Sequence, residues 1–322
     1  METGGSASGR PRRALQWIRH RVVMRLLLPI AAAAALLAGQ NPSGYTFTAD
    51  SELVLLDVGV SNERGENLRG LARDQFRVFD NGKLQTITQF SSEDLPVAAV
   101  VAIDSSTSMI PKRSEVLTGG LAFVHESNPL DQISIADFND AVHFRLPPDR
   151  PFTSDYPALR SALLDIRMEG RTALYDAVYE SLLHLKSSRP GRKTLVIISD
   201  GGDNASRRNL QDVIAAARQS PATIYAVGIF DPEDGDKNPR LLKNLARISG
   251  GQAFFPREVS ETAAACRRIA ADIRSRYVIG YRPVRLNDRA EQRAISVTVV
   301  GAGKVKVRVR TSYYLPALSS QG

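Results

Sequence analysis

A run of seven apolar residues at 97–103, Val-Ala-Ala-Val-Val-Ala-Ile, is the feature that most constrains the fold of this chain. Strands of this kind are buried on both faces, as they are in parallel sheets that helices cover on both sides. After this run, short apolar stretches alternate with helical periodicity as far as residue 275. The alternation predicts an α/β fold with a doubly wound, mostly parallel sheet of the Rossmann-like type. The predicted strands are 97–103, 133–138, 141–146, 194–198, 223–229 and 252–255, and the predicted helices are 115–126, 156–166, 173–186, 210–219, 240–248 and 261–275.

Two of these strands are so close in sequence that they predict a hairpin. Only Asn139 and Asp140 separate 133–138 from 141–146. A connection this short cannot cross over to a parallel neighbour, since parallel strands need a dozen or more residues between them. We therefore expect the second strand to be antiparallel and to lie at the edge of the sheet.

Segments of strand character flank the α/β region on both sides. On the N-terminal side, residues 53–60, 76–79 and 84–90 read as strands, with a tight turn at 80–83. On the C-terminal side, the strands are 277–281, 295–300 and 304–310, with 301–303 as a turn. Because the two sets bracket the α/β region, we expect them to pack together as one accessory sheet. The predicted organisation is a leader at 1–40, an N-terminal β segment at 41–95, the α/β domain at 96–275 and a C-terminal β segment at 276–322.

The N-terminal leader has the pattern of an export signal. Residues 1–40 hold six arginines and one glutamate, all of them before residue 26. An apolar run at 26–38 follows these charged residues, and only Pro29 interrupts it. This run is short for a membrane span, which needs about 20 apolar residues. Met24 is an alternative translation start. The sequence predicts a secreted or periplasmic protein, and an uncleaved leader would be its only link to a membrane.

The basic balance of the chain depends largely on this leader. The whole chain carries a formal charge of +8, but without residues 1–40 it has 36 basic and 33 acidic residues, a charge of +3. We therefore expect no nucleic-acid partner, since a phosphate-binding surface needs clustered positive charge. Cys266 is the single cysteine, which excludes an intramolecular disulfide, and its predicted place is a buried position on a helix.

Polar residues with oxygen ligands fall at the ends of the predicted elements. Asp104, Ser106 and Ser108 directly follow the first apolar strand, Thr172 precedes a helix, and Asp200 follows the strand 194–198. Ligands of open α/β sheets bind beyond the carboxyl ends of the strands. Two carboxylates and three hydroxyls suit a hard cation, Mg²⁺ or Mn²⁺, better than Zn²⁺. The alternative is that these residues only cap helices, which Ser and Asp commonly do.

The motif Asp104-x-Ser106-x-Ser108, together with Thr172 and Asp200, resembles the metal-ion-dependent adhesion site of von Willebrand factor type A domains. The chain is also similar to secreted bacterial members of that family in two flanking motifs, the stretch from Phe76 to Phe90 and the YxxGYxP strand from Tyr277 to Pro283. Such a domain implies a site in which the hydroxyls and aspartates hold the metal directly or through water. The metal then attracts a carboxylate of a protein partner. Thr107 departs from the glycine of many members.

The resemblance implies a binding protein that is not an enzyme, and the residues agree with this expectation. A Ser-His-Asp hydrolase needs a histidine near a nucleophile, whereas His125 and His184 fall in predicted helices and His143 in a strand. No Gly-x-Ser-x-Gly motif is present. The alternatives are a secreted structural scaffold whose site binds no metal and, less favoured, a metal-dependent hydrolase. The acidic stretch 231–236 departs from the EF-hand spacing and is predicted to be a solvated loop.

Overall fold

The computed structural model describes residues 53–230, 237–284 and 289–317. The predicted leader at 1–40 and the acidic stretch at 231–236 lie outside these residues. The described strands are β1 (Val54–Asn62), β2 (Phe76–Asp80), β3 (Lys83–Gln85), β4 (Ile87–Ser91), β5 (Val97–Asp104), β6 (Gln132–Phe138), β7 (Val142–Phe144), β8 (Arg192–Ser199), β9 (Thr223–Gly228), β10 (Ala253–Phe254), β11 (Tyr277–Tyr281), β12 (Glu291–Val299), β13 (Val305–Arg308) and β14 (Ser312–Leu315). The α-helices are α1 (Arg113–Glu126), α2 (Tyr156–Leu164), α3 (Leu174–His184), α4 (Leu210–Gln219), α5 (Pro239–Ser249) and α6 (Val259–Arg274).

The central sheet has six strands in the order β10-β9-β8-β5-β6-β7. The first five are parallel, and β7 pairs with β6 in the antiparallel direction. The prediction of a doubly wound, mostly parallel sheet is therefore confirmed, and so is the antiparallel edge strand. The sheet puts β5 and β8 side by side, and this neighbour relation positions the site described below.

Every residue of β5 is buried, because helices cover both faces of the central sheet. Its alternate side chains enter two different cores. Val101 and Ile103 pack in the core that α1, α2 and α6 cover, and Val100 and Ala102 pack in the core under α3, α4 and α5. The strand is uniformly apolar because neither face meets water.

Helices α1 and α6 approach each other closely over a glycine. A Cβ atom at Gly119 would lie 3.0 Å from the Cγ2 atom of Thr262 and 3.2 Å from the Sγ atom of Cys266. Cys266 is fully buried, as the sequence predicted, and burial raises the pKa of its thiol to about 12. The cysteine is thus a packing residue at this helix contact.

The flanking segments form two antiparallel four-stranded sheets, β13-β1-β11-β4 and β14-β12-β2-β3. Both sheets contribute to one apolar core, which includes Leu56, Val78, Ile279 and Val297. The N- and C-terminal segments therefore do pack together, as predicted. The expectation of one accessory sheet was wrong, because two sheets sandwich this core between them.

One local prediction was wrong. Residues 84–90 were predicted to form one strand, but β3 belongs to the second sheet and β4 to the first. The strands on either side of the turn at 301–303 also belong to different sheets, since β12 pairs with β2 and β14 while β13 pairs with β1. In a sandwich the chain can pass from one sheet to the other at such corners, so that neighbours in sequence need not pair. The tight turn at 80–83 is confirmed, with Asn81 at φ 48° and Gly82 at φ 77°.

Among the described helices, none has the length and hydrophobicity that crossing a membrane requires.

Candidate metal site

The predicted ligands come from two adjacent strands and from the loop before α3. Asp104 is the last residue of β5, and Asp200 directly follows β8, its parallel neighbour. Ser106 lies in the loop after β5, and Ser108 lies in the 3₁₀ helix Thr107–Lys112 that follows directly. Parallel strands end at the same edge of a sheet, so the two aspartates meet there for a topological reason.

Asp104 is fully buried at the base of the site. Its Oδ1 atom accepts the backbone N–H of Ser106 at 3.0 Å, and its Oδ2 atom accepts the hydroxyl of Ser199 at 2.7 Å. Burial and the nearby Asp200 raise the pKa of Asp104 to about 6, although the hydrogen bonds from both serines oppose this rise. A carboxyl in this environment favours a nearby positive charge, since a cation offsets the cost of its desolvation.

Asp200 is also buried, and glycines hold its loop in place. Its Oδ1 atom accepts the backbone N–H of Gly202 at 3.0 Å, and its backbone carbonyl accepts the N–H of Asn238 at 3.1 Å. Gly201 has a φ of 83°, and a Cβ atom there would lie 2.7 Å from the carbonyl oxygen of Asn238. This turn therefore needs glycine, both for its positive φ and for the close approach of the Asn238 backbone.

Hydroxyl groups connect the two loops. The Oγ atoms of Ser106 and Ser108 are 3.1 Å apart, and Ser108 donates to the Oδ2 atom of Asp200 at 3.0 Å. Ser106 occupies the position before the 3₁₀ helix, but its side chain makes no capping hydrogen bond. For Ser106, the helix-cap alternative is therefore not supported by the geometry.

A third loop closes the site. Thr107 donates its hydroxyl to the carbonyl of Gly170 at 2.9 Å. Thr172 is buried, and its backbone N–H donates to Asn204 at 2.9 Å. The threonine at position 107 thus adds a contact between the loop after β5 and the loop before α3.

The three loops enclose a pocket of about 170 Å³. Four of the five predicted ligands line it, namely Ser106, Ser108, Thr172 and Asp200, while Asp104 lies behind the serines. The residues that complete the lining are Thr107, Gly170, Arg171, Gly202 and Asn204.

The oxygen donors at this pocket fit a hard divalent cation. Hydroxyl and carboxylate oxygens are the ligands that Mg²⁺ takes, and Mg²⁺ commonly keeps several waters. Serine hydroxyls and Asp200 line the pocket and would be direct ligands, whereas Asp104 does not line it, which suits a role through water. Within the part of the chain that the structure describes, there is no group of three or more His, Cys, Asp or Glu side chains suited to a metal. A cation here would therefore depend on the hydroxyls.

Sequence reasoning missed Lys112, the most unusual residue beside the site. Its side chain is 9% exposed, and its Nζ atom lies 4.0 Å from the Oδ2 atom of Asp200. Within the described part of the chain, this Nζ atom has no hydrogen-bond partner. The residue type gave no signal, because a lysine after Pro111 reads as an ordinary surface residue. Ser199 was also missed as the donor to Asp104, although its place directly before Asp200 could have indicated it.

The three described histidines lie away from this pocket's lining. His184 stacks between Phe144 and Phe152 at ring-centroid distances of 3.9 and 4.7 Å, and burial lowers its pKa. It contacts the hydroxyl of the buried Ser134 at 3.2 Å. His143 lies 3.7 Å from Asp137, whose carboxylate Arg145 also binds. These contacts are those of packing and ion-pair residues.

Comparison with known proteins identifies the fold family. The family model for the von Willebrand factor type A domain matches residues 99–266, just over half of the chain. A search of curated proteins gives no match. Among solved structures, a von Willebrand factor type A protein from Catenulispora acidiphila is 13% identical, with a TM-score of 0.50 over 83% of this chain and 75% of that one.

Two further solved structures cover just over half of this chain. BatB from Bacteroides thetaiotaomicron is 18% identical, with a TM-score of 0.44 over 55% of this chain and 98% of that chain. The vWF domain of the pilus tip protein Mfa5 from Porphyromonas gingivalis is 14% identical, with a TM-score of 0.43 over 56% of this chain and 95% of that one. With the family model matching the strands and loops that build the pocket, the chain belongs to the von Willebrand factor type A domain family.

Proposed function

We propose that this protein is an extracytoplasmic, metal-dependent binding module that engages a carboxylate of a protein partner through Mg²⁺ or Mn²⁺. The observation that carries the proposal is the pocket at the strand ends, where Ser106, Ser108, Thr172 and Asp200 present oxygen atoms to one small cavity. Domains of this family commonly bind protein partners, which supports a binding role.

The chemistry of the pocket supports a partner that offers a carboxylate. Most of the ligands that this chain supplies are neutral hydroxyls, so they neutralise a divalent cation only in part. A hard cation with an open position favours an anionic oxygen. The pocket also opens to the surface, since the side chains of Thr107, Arg171 and Asn204 at its rim are exposed. A side chain of another protein could therefore reach the cation.

The proposed role is binding and not catalysis, because adhesion-type domains of this family are typically not enzymes. Asp200, the carboxylate in the pocket lining, accepts hydrogen bonds from Ser108 and Gly202. The extracytoplasmic location rests on the sequence of the leader at 1–40.

The metal site is tested by unfolding the chelator-treated protein with and without Mg²⁺. At a metal concentration one hundred times the dissociation constant, linkage stabilises the fold by about 2.7 kcal/mol. We expect this gain for the wild type and for Asp149→Ala, which removes an exposed carboxylate outside the pocket. Asp200→Asn should lose it, because an amide keeps the shape of the side chain without its charge.

Equal stability of the wild type in Mg²⁺, in Mn²⁺ and in chelator would refute the metal site and leave a scaffold role. If Asp200→Asn kept the full metal-dependent gain, the metal would be bound elsewhere. Binding of the carboxylate is then tested by titrating acetate into the metal-loaded protein. The expected result is binding that disappears in chelator.

A further inference from the structure

Lys112 is a buried cation beside the pocket. Its side chain is 9% exposed, and its Nζ atom makes no hydrogen bond to any residue that the structure describes, although it lies 4.0 Å from Asp200 Oδ2. An ammonium group removed from water loses much hydration energy unless acceptors replace the water. Lys193 shows how acceptors ordinarily replace this water. It is half-buried, and its Nζ atom contacts the carbonyl of Leu185 and the hydroxyl of Ser188.

The backbone fixes Lys112 beside the pocket. The 3₁₀ helix Thr107–Lys112 starts directly after Ser106, so one short segment carries both Ser108 and the lysine. Met109 in the same segment is fully buried and anchors it in the core. The lysine is therefore held on the segment that also supplies a hydroxyl ligand of the proposed metal.

Lys112 changes the net charge of the site. Asp104 and Asp200 supply two negative charges, and Lys112 supplies one positive charge. At the rim, Arg171 is paired with Asp140 at 2.8 Å, which makes this pair neutral. With a divalent cation bound, the site has a net charge of +1. Without Lys112, the same site would be neutral with its metal bound.

We propose that Lys112 is a tethered cation that weakens metal binding on its own and couples it to the binding of an anionic ligand. The inference rests on the proposed function and concerns the regulation of the same site. The positive charge repels the metal, and it also leaves an excess charge that an incoming carboxylate neutralises. The metal and the carboxylate attract each other directly, so each raises the affinity for the other by the same factor, and the charge of Lys112 adds to the attraction for the carboxylate.

The size of the effect follows from the charges, because Lys112 lies 4.0 Å from Asp200, a proposed ligand of the metal. Like charges a few ångströms apart repel each other weakly in water but several times more strongly in the lower dielectric of a protein, and a divalent metal carries twice the unit charge. Lys112→Met should therefore bind Mg²⁺ roughly tenfold more tightly than the wild type. The same variant should lose most of the gain that acetate gives to the wild type.

The test is a calorimetric titration of Mg²⁺ into the chelator-treated full chain, in chloride and in acetate buffers of equal ionic strength. Lys193→Met is the matched control, because it removes the same charge at the other end of the sheet, near the start of β8. We expect it to behave as the wild type in both buffers. Far-UV circular dichroism in chelator shows whether each variant is folded.

A second pair of variants keeps the test decisive if Lys112→Met does not fold. Lys112→Gln removes the charge and Lys112→Arg keeps it, so only the former should bind Mg²⁺ more tightly. Equal or weaker Mg²⁺ binding by the neutral variants, with a wild type that binds Mg²⁺, would overturn the role of Lys112 and leave the metal site intact. If the wild type and all variants fail to bind Mg²⁺, the metal site itself is refuted and this inference with it.

Discussion

Arg276 offers a direct test of how the accessory sandwich and the central domain are joined. It lies between α6 and β11 with its side chain completely buried. Its Nη1 atom contacts the carboxylate of Asp272 and the hydroxyl of Tyr225, both at 3.1 Å. Its Nη2 atom donates at 2.8 Å to two carbonyls, those of Asp57 in β1 and Gly250 after α5. One guanidinium group thus connects strands and helices of both parts.

The expected cost of removing this group can be worked out from its partners. Loss of one member of a buried ion pair costs about 3–5 kcal/mol, because the other charge stays buried without its partner. Asp272 would still accept hydrogen bonds from Tyr225 and Arg308 in Arg276→Met. We therefore expect the lower end of this range, about 3 kcal/mol, which is a large share of the stability of an ordinary domain.

The assay is urea unfolding followed by far-UV circular dichroism. Arg267→Met is the matched control, since Arg267 is an exposed arginine on the same helix, and it should change the unfolding free energy by less than about 0.5 kcal/mol. Asp272→Asn and the double variant complete a thermodynamic cycle. The two substitutions should be less than additive, because they remove the same contact.

Two results would refute this reasoning. A loss below about 1 kcal/mol for Arg276→Met would show that the contacts of the guanidinium are energetically neutral. Two well-separated unfolding transitions in the wild type would show that the sandwich and the central domain unfold as independent units.

Four further outcomes are expected. Gly119→Val should destabilise the protein by about 1–3 kcal/mol in urea unfolding, because its side chain would overlap Thr262 and Cys266. Cys266 should resist iodoacetamide at pH 8 in the native state and react after unfolding, since burial raises the pKa of its thiol to about 12. Asp80→Ala should cost about 3–5 kcal/mol, because it leaves an arginine and two tyrosines of the sandwich core without their shared acceptor. The last concerns acid: burial raises the pKa of Asp272, but two arginines lower it more, to below the ordinary 3.8. Its stabilisation is complete above this value and is lost as the pH falls through the folded-state pKa, so the difference in unfolding free energy between wild type and Asp272→Asn should shrink only below about pH 4.

The sequence predicted the central sheet well because its signals are local. A strand such as β5, buried on both faces, has no polar residue before its end, and this pattern is visible within a few residues. The polar residues after β5 and β8 could be assigned to one site because carboxyl ends of parallel strands share one edge. The structure places four of the five predicted ligands around one pocket and Asp104 directly behind them.

The accessory module shows where local patterns are insufficient. Residues 84–90 alternate in a way that fits one strand, yet β3 and β4 join different sheets. The choice depends on pairing with β2 and β11, and the latter lies nearly 200 residues away in the chain. Alternation gives the face of a side chain but not the identity of the neighbouring strand.

The candidate site also has features that the sequence predicted and features that only the structure shows. The sequence alone determined where oxygen-bearing side chains follow β5 and β8, because a strand end and a short Asp-x-Ser-x-Ser motif are properties of a few consecutive residues. Only the tertiary structure decided that Lys112 is buried 4.0 Å from Asp200 and that Arg276 joins β1 to the end of α6. Whether a lysine or an arginine faces water or a carboxylate depends on which distant segment covers it. That is a property of packing, on which neighbouring residues in the chain carry no information.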